Sequence, residues 1–101
     1  MDETYEDDQQ QRSAQQAEQE LRLQRDIDDI RHVMDSEQGR RVVWDVLTQG
    51  KVFGAILPVD ALAMAFQEGQ RNVSLALFQR VMANCPEQYL KMAAEASEDK
   101  V

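Results

Sequence analysis

Apolar residues are nearly absent from the first twenty positions of the chain and then recur at helical spacing. One stripe of an α-helix is formed by residues spaced four, three and four positions apart: Leu23, Ile27, Ile30 and Met34. Ser13 is a suitable N-cap, because the Ala, Gln, Glu, Leu and Arg residues that follow it all favour helix. The pattern therefore predicts a long first helix from Ser13 to Met34.

A second helix is predicted from the capping signals that follow. Asp35 or Ser36 can act as its N-cap, and Gln38 is placed to complete a capping box with Asp35. Its apolar residues lie on most sides, which predicts a buried helix: Val42, Val43, Trp44, Val46 and Leu47. Gly50 is expected to end this helix in the left-handed conformation. The apolar connector over 51–59 fits either a tucked-in loop or a short extra turn.

Two further helices complete the pattern. Asp60 is a good N-cap for a third helix, which is expected to end at Met82 or Ala83. Its predicted apolar stripe consists of Leu62, Phe66, Gly69, Val73, Ala76 and Leu77. Pro86 suits the first position of a fourth helix, EQYLKMAAEA. The chain is therefore predicted to be an all-α protein, a small bundle of three to four helices with a long N-terminal helix and an acidic N-terminal arm.

The negative charge is concentrated at the N-terminus. The net charge is −8, and the acidic residues at positions 2, 3, 6, 7 and 8 supply five of the negative charges. High charge and low apolar content predict a flexible arm over 1–12, followed by one helical domain over 13–97 and a frayed tail over 98–101. A body of roughly seventy residues is near the lower limit for independent stability, so a partner subunit would help.

Composition also narrows the class of protein. The acidic balance argues against a nucleic-acid surface and disfavours a DNA-binding protein that uses the third helix as its recognition helix. The single cysteine, Cys85, excludes an internal disulfide and favours an intracellular folding compartment. The N-terminus has no basic start and no apolar run, and the apolar segment 52–65 is interrupted, so neither a signal peptide nor a membrane span is expected.

Candidate chemistry in the chain has simpler structural explanations. His32 has Asp28 and Asp29 on a neighbouring helix turn, but without a second His or a suitable Cys a solvated histidine is favoured over a metal ligand. Cys85 precedes Pro86 at a helix N-terminus, where a thiol pKa falls, but no motif places a base beside it. A partly buried thiol is favoured. We expect no catalytic residues, no metal and no cofactor, and thus no enzyme.

Contact with other proteins is the remaining function. Gly69 costs about 1 kcal/mol relative to alanine on a helix stripe, so we expect another helix to approach it, from a neighbouring subunit or from the chain itself. Arg40 and Arg41 are expected to pair locally with Glu37 and Asp45 rather than with a partner. The segment 13–19 has little to bury, so it either projects into solvent or lies against another chain, and the small core favours the second. The interface candidates are Leu23, Ile27, Ile30, Met34, Arg40, Arg41, Phe53, Phe66, Gly69 and Arg71.

Two stretches of the body resemble a family of small proteins encoded in the structural gene modules of short-tailed, podovirus-like bacteriophages. They are DIRHVMDSEQGRRVVWDVL and FQEGQRNVSLALFQRVMANCPEQYLKM, which together reach from Asp29 to Met92. The landmarks are Glu37, Gly39, Arg40, Arg41, Trp44, Phe66, Glu68, Gly69, Arg71, Asn72 and the helix from Pro86 to Tyr89. The resemblance implies a virion or virion-assembly component and supplies no catalytic residues.

Together with these patterns, the resemblance implies a non-enzymatic virion structural protein that acts by helix packing in multiple copies. We expect it to be internal or ejection-associated near the portal and tail axis of the particle, after assembly in the host bacterial cytoplasm. Its expected partners are portal, tail or internal core proteins and copies of itself, with no specific nucleic-acid site. The alternative is a non-virion assembly or regulatory adaptor whose acidic arm mimics nucleic acid.

Overall fold

Four α-helices make up the part of the chain that the computed structural model describes, residues 2–56 and 60–99. They are α1 (Asp2–Met34), α2 (Glu37–Gln49), α3 (Ala61–Asn84) and α4 (Pro86–Glu98). These residues include no strand, so the predicted all-α bundle is confirmed. The end of the predicted connector, 57–59, and the last two residues of the predicted tail lie outside the described residues.

Helix α1 is longer than predicted. It begins at Asp2, so the prediction of an N-cap at Ser13 is wrong. Gln and Glu residues before Ser13 favour helix, and acidic side chains in the first turns interact favourably with the positive end of the helix dipole. Gln9 Nε2 also donates a 3.0 Å hydrogen bond to Tyr5 Oη, one turn earlier. The predicted flexibility of residues 1–12 stays a prediction.

The junction between α1 and α2 is tight. Of the two predicted N-caps, Ser36 is the one used, and its Oγ accepts a 3.0 Å hydrogen bond from the backbone N–H of Gly39. Because Gly39 occupies the third helical position, Gln38 does not take the predicted capping-box position. A Cβ at Gly39 would lie 1.8 Å from the carbonyl oxygen of Val33, so the backbones of the two helices meet there without room for a side chain.

Gly50 ends α2 for a reason other than the predicted one. Its φ is −80°, and the left-handed conformation falls on the next residue, Lys51, with a φ of 56°. A Cβ at Gly50 would lie 2.1 Å from Ser74 Oγ on α3. Ser74 is buried and its hydroxyl donates a 3.0 Å hydrogen bond to the carbonyl of Val46 on α2. Gly50 therefore lets α2 and α3 cross in close contact.

The N-terminal ends of α3 and α4 agree with the predictions. Asp60 Oδ1 accepts a 2.8 Å hydrogen bond from the backbone N–H of Ala63, which confirms Asp60 as the N-cap of α3. Helix α3 continues to Asn84, beyond the predicted end at Met82 or Ala83. Pro86 occupies the start of α4, as predicted.

The hydrophobic core lies where the C-terminal end of α1 meets the other three helices. Seven buried residues form it: Ile30, Met34, Val43, Leu47, Val81, Cys85 and Met92. Half-buried side chains surround it, namely Trp44, Val52, Leu77, Phe78 and Tyr89. Val42, which was predicted to be buried, is exposed, because α2 turns only one side toward the core. No helix in the described part of the chain has the length and apolar character needed to cross a membrane.

Helix α3 is rotated away from the predicted orientation. Three large residues of its predicted stripe are mostly exposed: Leu62 by 85%, Phe66 by 67% and Val73 by 72%. The buried positions of α3 are Ser74 and Val81, with Leu77 and Phe78 packed beside them. The close contact of Ser74 with Gly50 accounts for this orientation, because it turns the serine side of α3 toward α2.

Candidate functional site

The buried side chain of Arg40 connects three helices. Its Nε donates a 2.5 Å hydrogen bond to Glu95 Oε1 on α4, and its Nη1 donates a 2.9 Å bond to the carbonyl oxygen of Met34 at the end of α1. The Arg40 side chain is 7% exposed and that of Glu95 is 26% exposed. The expected pairing of Arg40 with Glu37 and Asp45 is therefore wrong, because folding brings α4 alongside α2.

A cavity of about 200 Å³ lies beside this ion pair, between the start of α2 and the end of α4. Its charged lining residues are five carboxylates and two guanidinium groups: Glu37, Asp45, Glu95, Glu98, Asp99, Arg40 and Arg41. Arg40 is already bonded to Glu95. The surplus of carboxylates disfavours an anionic ligand in this cavity.

A second cavity, of about 340 Å³, lies between the end of α1 and the start of α4. It is lined by the exposed His32 and the buried Cys85, together with charged residues such as Arg31 and Glu87. Burial raises the pKa of the Cys85 thiol, Glu87 raises it further, and Arg31 opposes the shift. The raised pKa keeps the thiol neutral near pH 7, where it is a weak nucleophile. The thiol lies at the junction of α3 and α4, as predicted, but it is fully buried and not partly buried.

Four aromatic rings pack together beside the core. The rings of Trp44 and Phe53 are stacked with their centroids 5.2 Å apart, and the rings of Phe53 and Phe78 are almost perpendicular with their centroids 5.6 Å apart. Tyr89 and Phe78 are also nearly perpendicular, with their centroids 5.4 Å apart. Phe53, an interface candidate, therefore buries part of its surface against the other rings and remains 48% exposed.

The outward side of α3 is an unbroken apolar surface. We call it the α3 outer face, and it consists of exposed residues: Leu62, Ala65, Phe66, Gly69, Val73 and Ala76. A Cβ built at Gly69 would meet no atom of the described residues within 4 Å. The expectation that a helix of the same chain crosses at Gly69 is therefore wrong. Approach by a neighbouring subunit stays a prediction.

The N-terminal part of α1 forms a stalk whose side chains are not buried by the rest of the described chain. Every side chain from Thr4 to Asp26 is exposed, and own-chain burial begins at Ile27. The exposed residues include Leu21 and Leu23, which are 72% and 64% accessible. A bond of 2.8 Å between Arg22 and Glu18 joins successive turns of the stalk. We call residues 4–26 the α1 stalk.

The structure separates the ten interface candidates into three environments. Ile30, Met34 and Arg40 are buried inside the chain. The half-buried candidates are Ile27 and Arg71, and the exposed candidates are Leu23, Arg41, Phe53, Phe66 and Gly69. Sequence reasoning left out Leu62 and Val73 as candidates, although their helical spacing from Phe66 and Gly69 was the available signal.

In the described residues, no three His, Cys, Asp or Glu side chains are grouped so that they could hold a metal ion.

Comparison with known proteins gives one family match. The family model described as Bbp19-like phage protein matches residues 30–94. No curated protein and no solved structure matches the chain. The matched segment starts at Ile30, where α1 enters the core, and includes all of α2 and α3 and most of α4. The α1 stalk lies outside it, close to the limits expected from the resemblance.

Proposed function

The chain belongs to the Bbp19-like phage protein family, and we propose that it is a non-enzymatic structural component of the virion. In this proposal it acts by helix packing in multiple copies. Its placement is internal or ejection-associated near the portal and tail axis of a short-tailed phage. The partners are portal, tail or internal core proteins and further copies of the chain.

The observation that supports this proposal is the amount of apolar helix surface left uncovered. The large residues of the α3 outer face have exposed fractions of 67% to 85%. On the α1 stalk, Leu21 is 72% exposed and Leu23 is 64% exposed. Contiguous exposed apolar surface marks protein-interaction sites in soluble proteins. The molecule is also thin, with extents of 69 × 37 × 16 Å, so its helices have little depth in which to cover one another.

Two side chains that could take part in catalysis, those of Arg40 and Cys85, instead stabilise the fold. Arg40 is bonded to Glu95 and to the end of α1, and the Cys85 thiol is buried with a raised pKa. A general base or nucleophile needs an accessible group with a pKa near the working pH. These two residues therefore support a packing role over a catalytic one.

Mass spectrometry of purified virions tests the structural role. We expect peptides of this chain at a constant molar ratio to the portal protein across independent preparations. Abundant host cytoplasmic proteins, measured in the same samples, control for contamination. Protease treatment of intact and of opened particles then tests the internal placement, for which we expect protection only in intact particles. Absence of the chain from virions would contradict the proposal.

The acidic start of α1 favours a second candidate, an assembly or regulatory adaptor that mimics nucleic acid. Five acidic residues fall within positions 2–8 of a continuous helix. This is about 10 Å of helix axis, or one charge per roughly 2 Å, close to the ~1.7 Å per phosphate charge of duplex DNA. Accumulation of the chain in infected cells together with its absence from particles would select this candidate.

A further inference from the structure

We propose that the α3 outer face pairs with the same face of a second copy, antiparallel, about a two-fold axis through Gly69. This inference rests on the proposed function, which supplies the multiple copies. It adds the surface through which two copies meet.

The register of the face is self-complementary about Gly69. In an antiparallel pair, positions at equal distance from the axis face each other. Leu62 and Ala76 are each seven residues from Gly69, and Val73 and Ala65 are each four residues from it. Leu62 of one copy thus meets Ala76 of the other and Val73 meets Ala65, whereas Phe66, three residues from Gly69, faces the polar Asn72. Such large-to-small pairing lets two helix surfaces interdigitate without voids or overlap.

Gly69 provides the close contact at the centre. A Cβ at this position would meet nothing within 4 Å, so the backbone of Gly69 is accessible to a partner. Glycine at a helix crossing lets two backbones approach more closely than any other residue allows. The same glycine weakens an isolated helix, so a contact made through it compensates for a local loss of stability.

The charge of the face selects a second copy over a charged partner. The α3 outer face contains no charged residue, although the chain has a net charge of −8. A strongly basic or acidic partner would gain no ion pair on this face. A second copy presents the same neutral apolar surface, and isologous pairing of identical faces gives a closed dimer.

The direction of α1 favours the antiparallel arrangement. Arg80 donates a 2.8 Å hydrogen bond to the carbonyl of Asp26, and Arg31 donates a 3.1 Å bond to the carbonyl of Asn84. The later residue of α1 is bonded to the later residue of α3, so α1 and α3 run parallel where they meet. A two-fold axis through Gly69 therefore directs the two acidic stalks to opposite ends. A parallel pair would bring them side by side, with repulsion between them.

The size of the face defines the strength expected of the contact. Residues 62–76 span about 20 Å of helix with a width of about 10 Å, or roughly 200 Å² per copy. A standard stable interface buries about 800 Å² per partner. The pair is therefore weak by itself and forms at high protein concentration or when other contacts hold copies together.

Disulfide trapping of the full chain tests this geometry. In the Gly69→Cys variant the two-fold axis places the introduced thiols of two copies close together, within reach of the 4.4–6.8 Å Cα separation of a disulfide. The native Cys85 is 1% exposed and is not available for trapping. The matched control is Leu90→Cys, at a residue 70% exposed on α4 and outside the face. We expect mild oxidation to link Gly69→Cys at least tenfold faster than Leu90→Cys.

Sedimentation of unmodified protein over rising concentration gives an independent measurement. Wild type should self-associate at high concentration, and Gly69→Lys should weaken that association at least tenfold by placing a charge at the centre of the pair. Leu90→Lys is the control and should leave the association unchanged. Circular dichroism shows whether each variant keeps its helices, which the open space at Gly69 leads us to expect.

Equal trapping rates for the two cysteine variants, or a wild-type chain that stays monomeric at the highest concentration, would overturn the pairing. Faster disulfide formation between Gly69→Cys and a different virion protein than between two copies of the variant would overturn it as well. These outcomes are separate from the virion test. A chain that is present in particles but does not pair through Gly69 loses only this inference, whereas a pairing chain absent from particles loses only the virion role.

Discussion

Arg40 and Arg41 are neighbours in the sequence and differ completely in environment. Arg40 is buried and bonded to α4 and to the end of α1, whereas Arg41 is exposed. The predicted partners of Arg40, Glu37 and Asp45, are close to it in the sequence, whereas its actual partner lies on α4. Only the fold brings Glu95 close enough, since it lies 55 residues further along the chain.

Substitution of the two arginines provides a matched test of the ion pair between Arg40 and Glu95. We expect Arg40→Ala to lower the free energy of unfolding by about 2–3 kcal/mol, because it removes two hydrogen bonds and leaves Glu95 without its counter-charge. Arg41→Ala should change it by less than about 0.5 kcal/mol, as exposed substitutions do. Urea unfolding followed by circular dichroism measures both. Similar losses for the two variants would contradict the assigned role of Arg40.

The buried thiol of Cys85 should make stability depend on pH in the alkaline range. Its pKa is raised in the folded chain by burial, so the unfolded thiol ionises first as the pH rises. The contribution of the thiol is fully present below its ordinary pKa of about 8.5 and is lost as the pH rises from there toward the folded pKa.

The measurement compares wild type with Cys85→Ala in urea at pH 7 to 10. We expect the free energy of unfolding of the wild type to fall relative to that of the variant as the pH rises above about 8.5. Lysine and tyrosine titrations are common to both proteins and cancel in this difference. A difference that does not vary with pH would show that the thiol is not protected by the fold.

At the scale of elements, the crossing of α2 and α3 decides which side of α3 is buried. The helical stripe with Leu62, Phe66 and Val73 was the predicted inner side and is the outer side in the structure. Periodicity locates an apolar stripe on a helix, but it does not say whether that stripe meets the chain's own core or another molecule. Contact between Gly50 and Ser74 turns the helix the other way.

Two glycine substitutions with opposite expected effects test this crossing. Gly50→Ala should lower the free energy of unfolding by about 1–3 kcal/mol, because the added methyl group overlaps Ser74. Gly69→Ala should raise it by up to about 1 kcal/mol, because its Cβ enters open space in a helix interior. Thermal and urea unfolding at low protein concentration, where copies do not pair, measure both effects. Stabilisation by Gly50→Ala would contradict the close crossing.

At the scale of the whole molecule, α1 divides into two parts with different roles. Residues from Ile30 onward belong to the core and to the family match, while the α1 stalk has every side chain exposed. Core residues from all four helices lie at the other end of α1. The body is thus expected to fold without the stalk.

Deletion of residues 2–20 tests this division. We expect the free energy of unfolding to change by less than about 0.5 kcal/mol, since the deleted side chains from Thr4 to Glu20 are exposed and surface changes have small effects. Helical circular dichroism should fall in proportion to the residues removed. A control deletion of α4, which contributes Met92 to the core and Glu95 to the ion pair with Arg40, should prevent folding. A large loss of stability on removal of the stalk would show that the stalk packs on the body or on another copy.

Local chemistry was sufficient to predict most helix boundaries of this protein. The N-cap oxygens of Ser36 and Asp60 accept hydrogen bonds from backbone groups three residues away, and Pro86 starts a helix through its own fixed φ. Such interactions need no distant partner, so they can be recognised in the sequence alone. The start of α1 was missed because acidic composition suggested disorder more strongly than Gln and Glu suggested helix.

The tertiary structure alone decided how the helices use their faces. The partner of Arg40, the contact that requires Gly50 and the exposure of the α3 outer face all depend on residues far apart in the chain. The physical reason is that a helix can bury any face with enough small or apolar residues. Which face it buries is settled by the packing of all four helices at once.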